Sequence, residues 1–180
     1  MKEIILAGFG GQGVLTGGLV IAQMAADRDL HTVWMPAYGP TMRGGKANCV
    51  VKYEEAAGGR VGSPIMEEAD ALIAMNEPSL DYLACCKPGA TVIVNAHSVP
   101  ETRTYPEGVK VVRLDCVELA DKLDNPKGQS LVMLGALIKS VGLFDREYAR
   151  ESLLGFFEHK GKEKFAALNA AAFDAGYDAV

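Results

Sequence analysis

The chain has 180 residues, 49% hydrophobic and 23% charged, with 18 Lys and Arg against 23 Asp and Glu and a formal net charge of −5. That balance suits one globular domain over residues 1–180 and disfavours disorder, while the acidic net charge without any Lys/Arg run excludes a general nucleic-acid surface. No apolar stretch reaches the roughly 18 residues of a membrane span, and the short, acid-bearing N-terminal apolar run does not read as a secretory signal, so no membrane association and a cytoplasmic location are expected.

Glu3 to Gly8 reads as a buried strand and Val14 to Arg28 as a helix with Leu15, Leu19, Ala22 and Ala26 along one apolar stripe. Between them stands Gly8-Phe9-Gly10-Gly11-Gln12-Gly13, a Gly-x-Gly-x-x-Gly after a strand and before a helix. Glycines there permit positive φ and close approach of a phosphate, and the free amides of a helix start attract an anion. The alternative is a tight turn packed under a partner. His31 to Met35 reads as a second strand, stopped by Pro36. A dinucleotide site wants Asp or Glu at the end of that strand to hold ribose hydroxyls. The residues present are Val33-Trp34-Met35-Pro36, which weighs against an ordinary NAD site.

Pro36 to Lys46 forms a loop stiffened by two prolines, with glycines beside Tyr38 and Arg43. Tyr and Arg on a stiff loop are anchors for a partner chain or a phosphate. Because both loops follow strands, they are expected at the carboxyl edge of the sheet, where α/β proteins bind ligands. Ala47 to Tyr53 reads as the third strand, Glu54 to Gly59 as a turn, and Ser63-Pro64 as the start of a turn or helix. Ala71 to Met75 and Thr91 to Asn95 are short apolar strands, separated by a helix from Glu77 to Cys85 that ends before Pro88-Gly89. Asn76, with Pro78 beyond it, is read as that helix's cap. Asn95 and His97 follow a strand, and His97 reads as a solvated loop histidine because no nucleophile or acid is nominated beside it.

Val109 to Leu114 is a further strand, and Asn125-Pro126 marks a boundary. Ser130 to Val141, Asp145 to His159 and Lys162 to Gly176 then read as helices, with Phe156, Phe157, Phe165, Leu168 and Phe173 as buried candidates. The expectation is an α/β fold: a mostly parallel sheet flanked by helices, with a C-terminal helical segment. The four cysteines form no Cys-x-x-Cys or four-cysteine cluster and the three histidines are scattered, which argues against a metal or iron-sulfur centre on this chain. Adjacent Cys85 and Cys86 read as small apolar fillers, since neighbouring helical residues do not face each other. Gly-x-Ser-x-Gly, P-loop and His-Glu-x-x-His signatures are missing, so the chain nominates binding surfaces and no catalytic residues.

Several of these segments in order resemble the gamma subunit of 2-oxoacid:ferredoxin oxidoreductases: Gly8 to Val14, Tyr38-Gly39-Pro40 with Arg43-Gly44-Gly45, Ser63-Pro64, Ile73 to Asn76, Val92 to Asn95, Leu134-Gly135-Ala136 and Asn169 to Gly176. Arg43 to Cys49 and Gly62-Ser63-Pro64 look most like the 2-oxoglutarate branch, with pyruvate, branched-chain and indolepyruvate enzymes having similar small subunits. The resemblance implies a share in an enzyme that joins a 2-oxoacid to coenzyme A, releases carbon dioxide and reduces ferredoxin. It places thiamine diphosphate and Mg on alpha and beta subunits, and iron-sulfur clusters on a cysteine-rich subunit or domain, with no cofactor bound by this chain alone. The length looks like the free-standing form of the subunit. The candidate ligand- or partner-binding residues are Gly8, Gly10, Gly11, Gln12, Gly13, Tyr38, Gly39, Pro40, Arg43, Gly44 and Gly45. The other reading is a stand-alone Rossmann-like nucleotide-binding oxidoreductase that uses Gly8 to Gly13 for a diphosphate.

Overall fold

The computed structural model describes residues 1–39, 44–56 and 58–180. In chain order the elements are β1 (Lys2–Phe9), α1 (Val14–Ala26), β2 (Thr32–Tyr38), β3 (Lys46–Tyr53), β4 (Ala69–Ala74), a 3₁₀ helix (Glu77–Cys85), β5 (Cys86–Asn95), β6 (Lys110–Leu114), α2 (Cys116–Asp121), α3 (Gln129–Val141), α4 (Arg146–His159) and α5 (Glu163–Asp178). The described strands form a six-stranded sheet in the order β2-β3-β1-β4-β5-β6. β1, β4, β5 and β6 pair in parallel, and β3 is antiparallel to both of its neighbours, so β3 alone among these strands is reversed.

Alternation along the strands sorts apolar side chains onto two faces. Ile4, Leu6, Val51, Ile73 and Ile93 face α1 and α3 in one buried cluster that continues into α4 and α5. Ile5, Leu72, Val92 and Val94 face the other way and are covered by Leu80 and Leu83 of the 3₁₀ helix and by Val99. The helical segment therefore shares the sheet's own core. Its tightest contact is between α3 and α5: a Cβ on Gly135 would lie 2.0 Å from the Phe173 carbonyl oxygen, and one on Gly176 would lie 1.8 Å from that of Val132. No helix among the described residues is long and apolar enough to cross a membrane.

The parallel α/β expectation holds, with local corrections. β2 runs through Pro36 to Tyr38 instead of stopping, because it is an edge strand and one side of its backbone has no neighbour to bond. The buried residues of α1 are Val14, Gly17, Gly18, Val20, Ile21, Ala22, Met24 and Ala25, so Ala22 is buried as expected, whereas Leu15 and Leu19 are half-buried and Ala26 is exposed. The glycines bring the helix axis close to the strands, a Cβ at Gly18 meeting Cys49 Sγ at 2.3 Å, so small residues occupy the sheet side. The Glu77–Cys85 segment is a 3₁₀ helix, and β5 begins at Cys86 and carries Pro88 and Gly89 within it. Phe156, Phe157 and Phe173 are buried as expected, but Leu168 is half-buried and Phe165 is 45% exposed.

Candidate functional site

Strand direction decides where the two glycine-bearing loops meet. Phe9 at the end of β1 pairs with Lys46 at the start of β3, and Tyr38 at the end of β2 pairs with Ala47. Both loops thus leave the carboxyl ends of parallel strands and lie side by side. Main-chain bonds join them: Gly10 N–H donates to the Gly45 carbonyl at 2.8 Å, and Gly44 N–H donates to the Gly10 carbonyl at 3.1 Å. Gly39 N–H donates to the Lys46 carbonyl at 3.3 Å and closes the base of the second loop. Pro40 and Arg43, named from the sequence, lie outside the described residues. Tyr38 is 60% exposed. With Phe9, Gly11, Val14, Thr16 and Ala47 it lines an open cleft of about 400 Å³.

Gln12 sits inside the glycine loop rather than pointing out of it. Its Oε1 accepts from Phe9 N–H at 2.6 Å and from Asn76 Nδ2 at 3.0 Å. Gly8 makes room for this turn-back, since a Cβ there would lie 2.7 Å from Gln12 Oε1. Asn76 Oδ1 in turn accepts from Ser79 N–H at 3.1 Å and Ser79 Oγ at 2.7 Å, the helix cap expected from the sequence. Asn95 Nδ2 donates to the Met75 carbonyl at 3.1 Å. The ends of β1, β4 and β5 are therefore tied by amide side chains. Sequence reasoning missed the Gln12–Asn76 bond; a polar amide in a glycine turn and an Asn ending a buried strand were its only local signals.

Gly13 has φ +78 and opens α1 without a side-chain cap. The first-turn amides of α1 have no intrahelical acceptor, Val14, Leu15 and Thr16 of that turn line the cleft, and the turn carries no acidic residue. Such a helix start attracts an anion or a partner's carbonyl or carboxylate.

Strand order separates this site from an ordinary dinucleotide site. There, the second strand lies beside the first and brings its terminal acid to the ribose. Here, reversed β3 stands between β1 and β2, and β2 ends in Ala37 and Tyr38.

His97 has an acidic neighbour after all, Asp115 Oδ2 lying 3.2 Å from its Nδ1, although both side chains are open to solvent. Partial burial alone would raise the Asp115 carboxyl. The Glu118 amide, the His97 ring and the Val117 amide outweigh that effect and hold it below the usual carboxylate range. The other polar groups around this shallow cleft are Glu118, Asp121 and Lys122.

The thiols do not converge. Cys49 lies under α1 and donates to the Val14 carbonyl at 3.3 Å, and burial pushes its pKa up to about 12. Cys116, at the start of α2, is likewise pushed up to about 12, first by burial and then by the Asp115 charge. Iron-sulfur ligation needs several thiolates facing one point, and this donor set does not fit that requirement. Among the described residues no group of three or more His, Cys, Asp and Glu is placed to hold a metal ion.

Comparison with known proteins places this geometry. The family described as pyruvate ferredoxin/flavodoxin oxidoreductase matches residues 3–179. The ketoisovalerate oxidoreductase subunit VorA of Methanothermobacter thermautotrophicus is 38% identical over 177 residues, covering 97% of this chain and 35% of that protein. The chain thus spans about a third of the VorA length. The 2-oxoglutarate synthase subunit KorC of Methanothermobacter marburgensis is 32% identical over 188 residues, covering 99% of this chain and 96% of that one. Among solved structures, the keto/oxoacid ferredoxin oxidoreductase gamma subunit of Geobacter sulfurreducens superposes with a TM-score of 0.80 at 26% identity, over 99% of this chain and 97% of that one. The 2-oxoglutarate:ferredoxin oxidoreductase of Magnetococcus marinus, solved with 2-oxoglutarate, coenzyme A and succinyl-CoA, also reaches 0.80 at 25% identity, over 99% of this chain and 31% of that one. These similarities favour the oxidoreductase-subunit reading over the stand-alone dinucleotide enzyme. With a match over almost its whole length, this chain belongs to the pyruvate ferredoxin/flavodoxin oxidoreductase family.

Proposed function

We propose that this chain is the gamma subunit of a cytoplasmic 2-oxoacid:ferredoxin oxidoreductase, which converts a 2-oxoacid and coenzyme A to acyl-CoA and carbon dioxide and passes two electrons to ferredoxin. The observation that carries this reading is the joined pair of loops at the carboxyl edge, where Gly10 is bonded to Gly44 and Gly45 and Tyr38 stands exposed beside them. Glycine-bearing loop ends joined main chain to main chain, with an exposed aromatic anchor beside them, suit docking. In this reading Gly8 to Gly13 and Tyr38 to Gly45 meet the thiamine diphosphate-binding alpha and beta subunits and help close over coenzyme A. Thiamine diphosphate with Mg supplies the carbanion chemistry from those partners, and the clusters of an iron-sulfur subunit or domain carry the electrons.

The sequence around Arg43 to Cys49 favours 2-oxoglutarate as the substrate of the complex. A branched-chain 2-oxoacid is the second reading, favoured by the 38% identity to a ketoisovalerate oxidoreductase subunit against 32% to KorC. Co-expression with the thiamine diphosphate-binding chains tests the proposal: a stable complex that reduces ferredoxin with a 2-oxoacid and coenzyme A supports it, and failure to co-purify sinks it. A panel of 2-oxoacids assayed on that complex decides between the two substrates.

A further inference from the structure

The two outer edges of the sheet are built differently. On β2, Glu54 N–H donates to the His31 carbonyl at 3.1 Å and Gly39 N–H donates to the Lys46 carbonyl at 3.3 Å. Between these bonds the odd-numbered residues turn their main-chain groups toward β3 and the even-numbered ones turn theirs outward. Pro36 holds one of the outward positions and supplies no N–H, which blunts that edge. β6, at the opposite edge, contains neither proline nor glycine. Its Leu114 carbonyl accepts from Ala96 N–H at 2.9 Å, so the main-chain groups of Leu114, and by alternation those of Val112 and Lys110, face β5. Val111 and Arg113 therefore direct their N–H and C=O groups away from the sheet, and no other strand among the described residues pairs with them.

This edge borders a cleft of about 490 Å³. Residues 110–113 form one wall, and Lys139 and Ser140 of α3 with Ala179 and Val180 after α5 form the other. Val111 and Val112 are half-buried, one on each face of the strand. In a chain of net charge −5 the cleft is cationic: Lys110, Arg113 and Lys139 line it, and no Asp or Glu side chain does among the described residues.

Arg113 is engaged locally, donating to the Val99 carbonyl at 2.7 Å and to the Tyr105 hydroxyl at 3.1 Å. Lys110 and Lys139 are exposed. The side-chain ion pairs of lysine among the described residues are those of Lys46, Lys52, Lys87 and Lys122, which leaves Lys110 and Lys139 without a carboxylate. By alternation Lys110 shares the strand face of Val112, which packs with α3 in one cluster, so both lysines stand on the same side of the edge. Charge then selects the occupant. A second β6 laid alongside brings together the Lys110 and Arg113 of both copies, and like charges on paired strands repel. An extended segment with Asp or Glu at alternate positions instead presents its carboxylates to both lysines.

We infer that the β6 edge receives an acidic, extended segment of a partner chain as a further strand, its main chain bonded to Val111 and Arg113 and its carboxylates facing Lys110 and Lys139. This accounts together for the open main-chain edge, the cleft beside it and two lysines without ion pairs. The surface lies at the other end of the sheet from Tyr38 and does not rest on the oxidoreductase-subunit reading.

The test is titration of the full chain with a labelled synthetic peptide of alternating Glu and Val, and with one of alternating Lys and Val, followed by fluorescence anisotropy and amide NMR. The acidic peptide binds, the largest shifts fall on Lys110 to Arg113, and hydrogen exchange slows at the Val111 and Arg113 amides. The basic peptide does not bind. Lys110→Glu combined with Lys139→Glu weakens the acidic peptide by about tenfold or more, and added salt weakens it as well. Val111→Pro removes an outward N–H that the β5–β6 pairing does not use, and it weakens binding by about tenfold. Both lysines are on the surface, so their double variant keeps its fold and remains decisive even if the proline disturbs the strand. No binding of the acidic peptide, equal binding of the basic one, shifts confined to another region, or indifference to the double lysine variant overturns the inference. Concentration-dependent protection of Val111 and Arg113 without any peptide assigns the edge to a second copy of the chain, and that also overturns it.

Discussion

Asn76 donates its side-chain amide to Gln12 Oε1 at 3.0 Å, joining the glycine loop after β1 to the turn after β4. Because the same oxygen also accepts from Phe9 N–H, one side chain holds both the loop's own shape and its attachment to the next strand end. Gln12→Ala leaves the Asn76 amide and the Phe9 amide without this acceptor, and the expected loss is about 1–3 kcal/mol. Asn76→Ala removes the 3₁₀ cap as well and costs about 0.5–2 kcal/mol more. Urea unfolding of the single and double variants checks this: the double variant is less destabilised than the sum of the singles, and strict additivity contradicts the shared bond.

Gly13 faces two constraints, φ +78 and the nearness of Ser130 Oγ. Gly13→Ala therefore pays both left-handed backbone strain and crowding, together about 2–4 kcal/mol. Combining it with Ser130→Gly restores the part due to crowding. Thermal melts of the single and paired variants separate the two contributions, and a pair no more stable than Gly13→Ala alone assigns the whole loss to the backbone.

α3 and α5 approach so closely that a methyl group at Gly135 or Gly176 meets main-chain carbonyl oxygens, which cannot swing aside as side chains do. Either glycine replaced by alanine is expected to destabilise the chain by more than about 3 kcal/mol. Gly155, where a Cβ meets nothing within 4 Å, is the control: Gly155→Ala on α4 is expected to be neutral or stabilising by up to about 1 kcal/mol. Circular dichroism melts of the three variants distinguish the positions.

Lys52 and Glu3 form an ion pair at 3.1 Å with side chains 1% and 6% exposed. Lys52 Nζ also donates to the carbonyls of Ser63 and Ile65, and Glu3 Oε2 accepts from Glu67 N–H, so the pair pins the 63–67 segment across the sheet. Lys52→Met leaves a buried carboxylate without its cation, with an expected loss of about 3–5 kcal/mol. Adding Glu3→Leu recovers part of it. Limited proteolysis near Ile65 follows the release of the segment, and an unchanged cleavage pattern in Lys52→Met contradicts the pinning role.

Cys49 and Cys116 give the stability a defined alkaline limb. Their thiols titrate near 12 in the fold and at about 8.5 when unfolded, so the folded state holds these protons longer. Their contribution is complete below the unfolded value and is lost as pH rises from about 9 toward 12, at up to about 1.4 kcal/mol per pH unit for each thiol. Cys49→Ala, with one fewer ionising group, shows a shallower decline in denaturation midpoint between pH 8 and 10.5. An identical slope in the variant excludes Cys49 as a contributor.

The strands most legible in the sequence were those buried on both faces, β1, β4 and the second half of β5, where continuous apolar runs admit few other readings. The glycine loop and the Asn76 cap were also readable, since each is local chemistry at fixed spacing. Sheet order was not: nothing within Lys46 to Tyr53 says that this strand runs backward between β1 and β2. Pro36 misled because its effect depends on whether the strand has a neighbour on that side, a tertiary fact. The α1 stripe was right at Ala22 and off at Leu15, Leu19 and Ala26, because Gly17 and Gly18, which carry no apolar signal, lie on the side of the helix turned to the sheet.

The link between the two glycine-bearing loops is made of main-chain atoms, Gly10 to Gly45 and Gly44 to Gly10. A coupling of that kind does not depend on which side chains the loops carry. Residues such as Tyr38 can be exchanged for others to suit a different partner or acid while the relative setting of the two loops is inherited unchanged. Selectivity and scaffold can therefore vary independently here, so grafting another subunit's loop side chains onto this framework should transfer its docking preference without redesign of the sheet beneath.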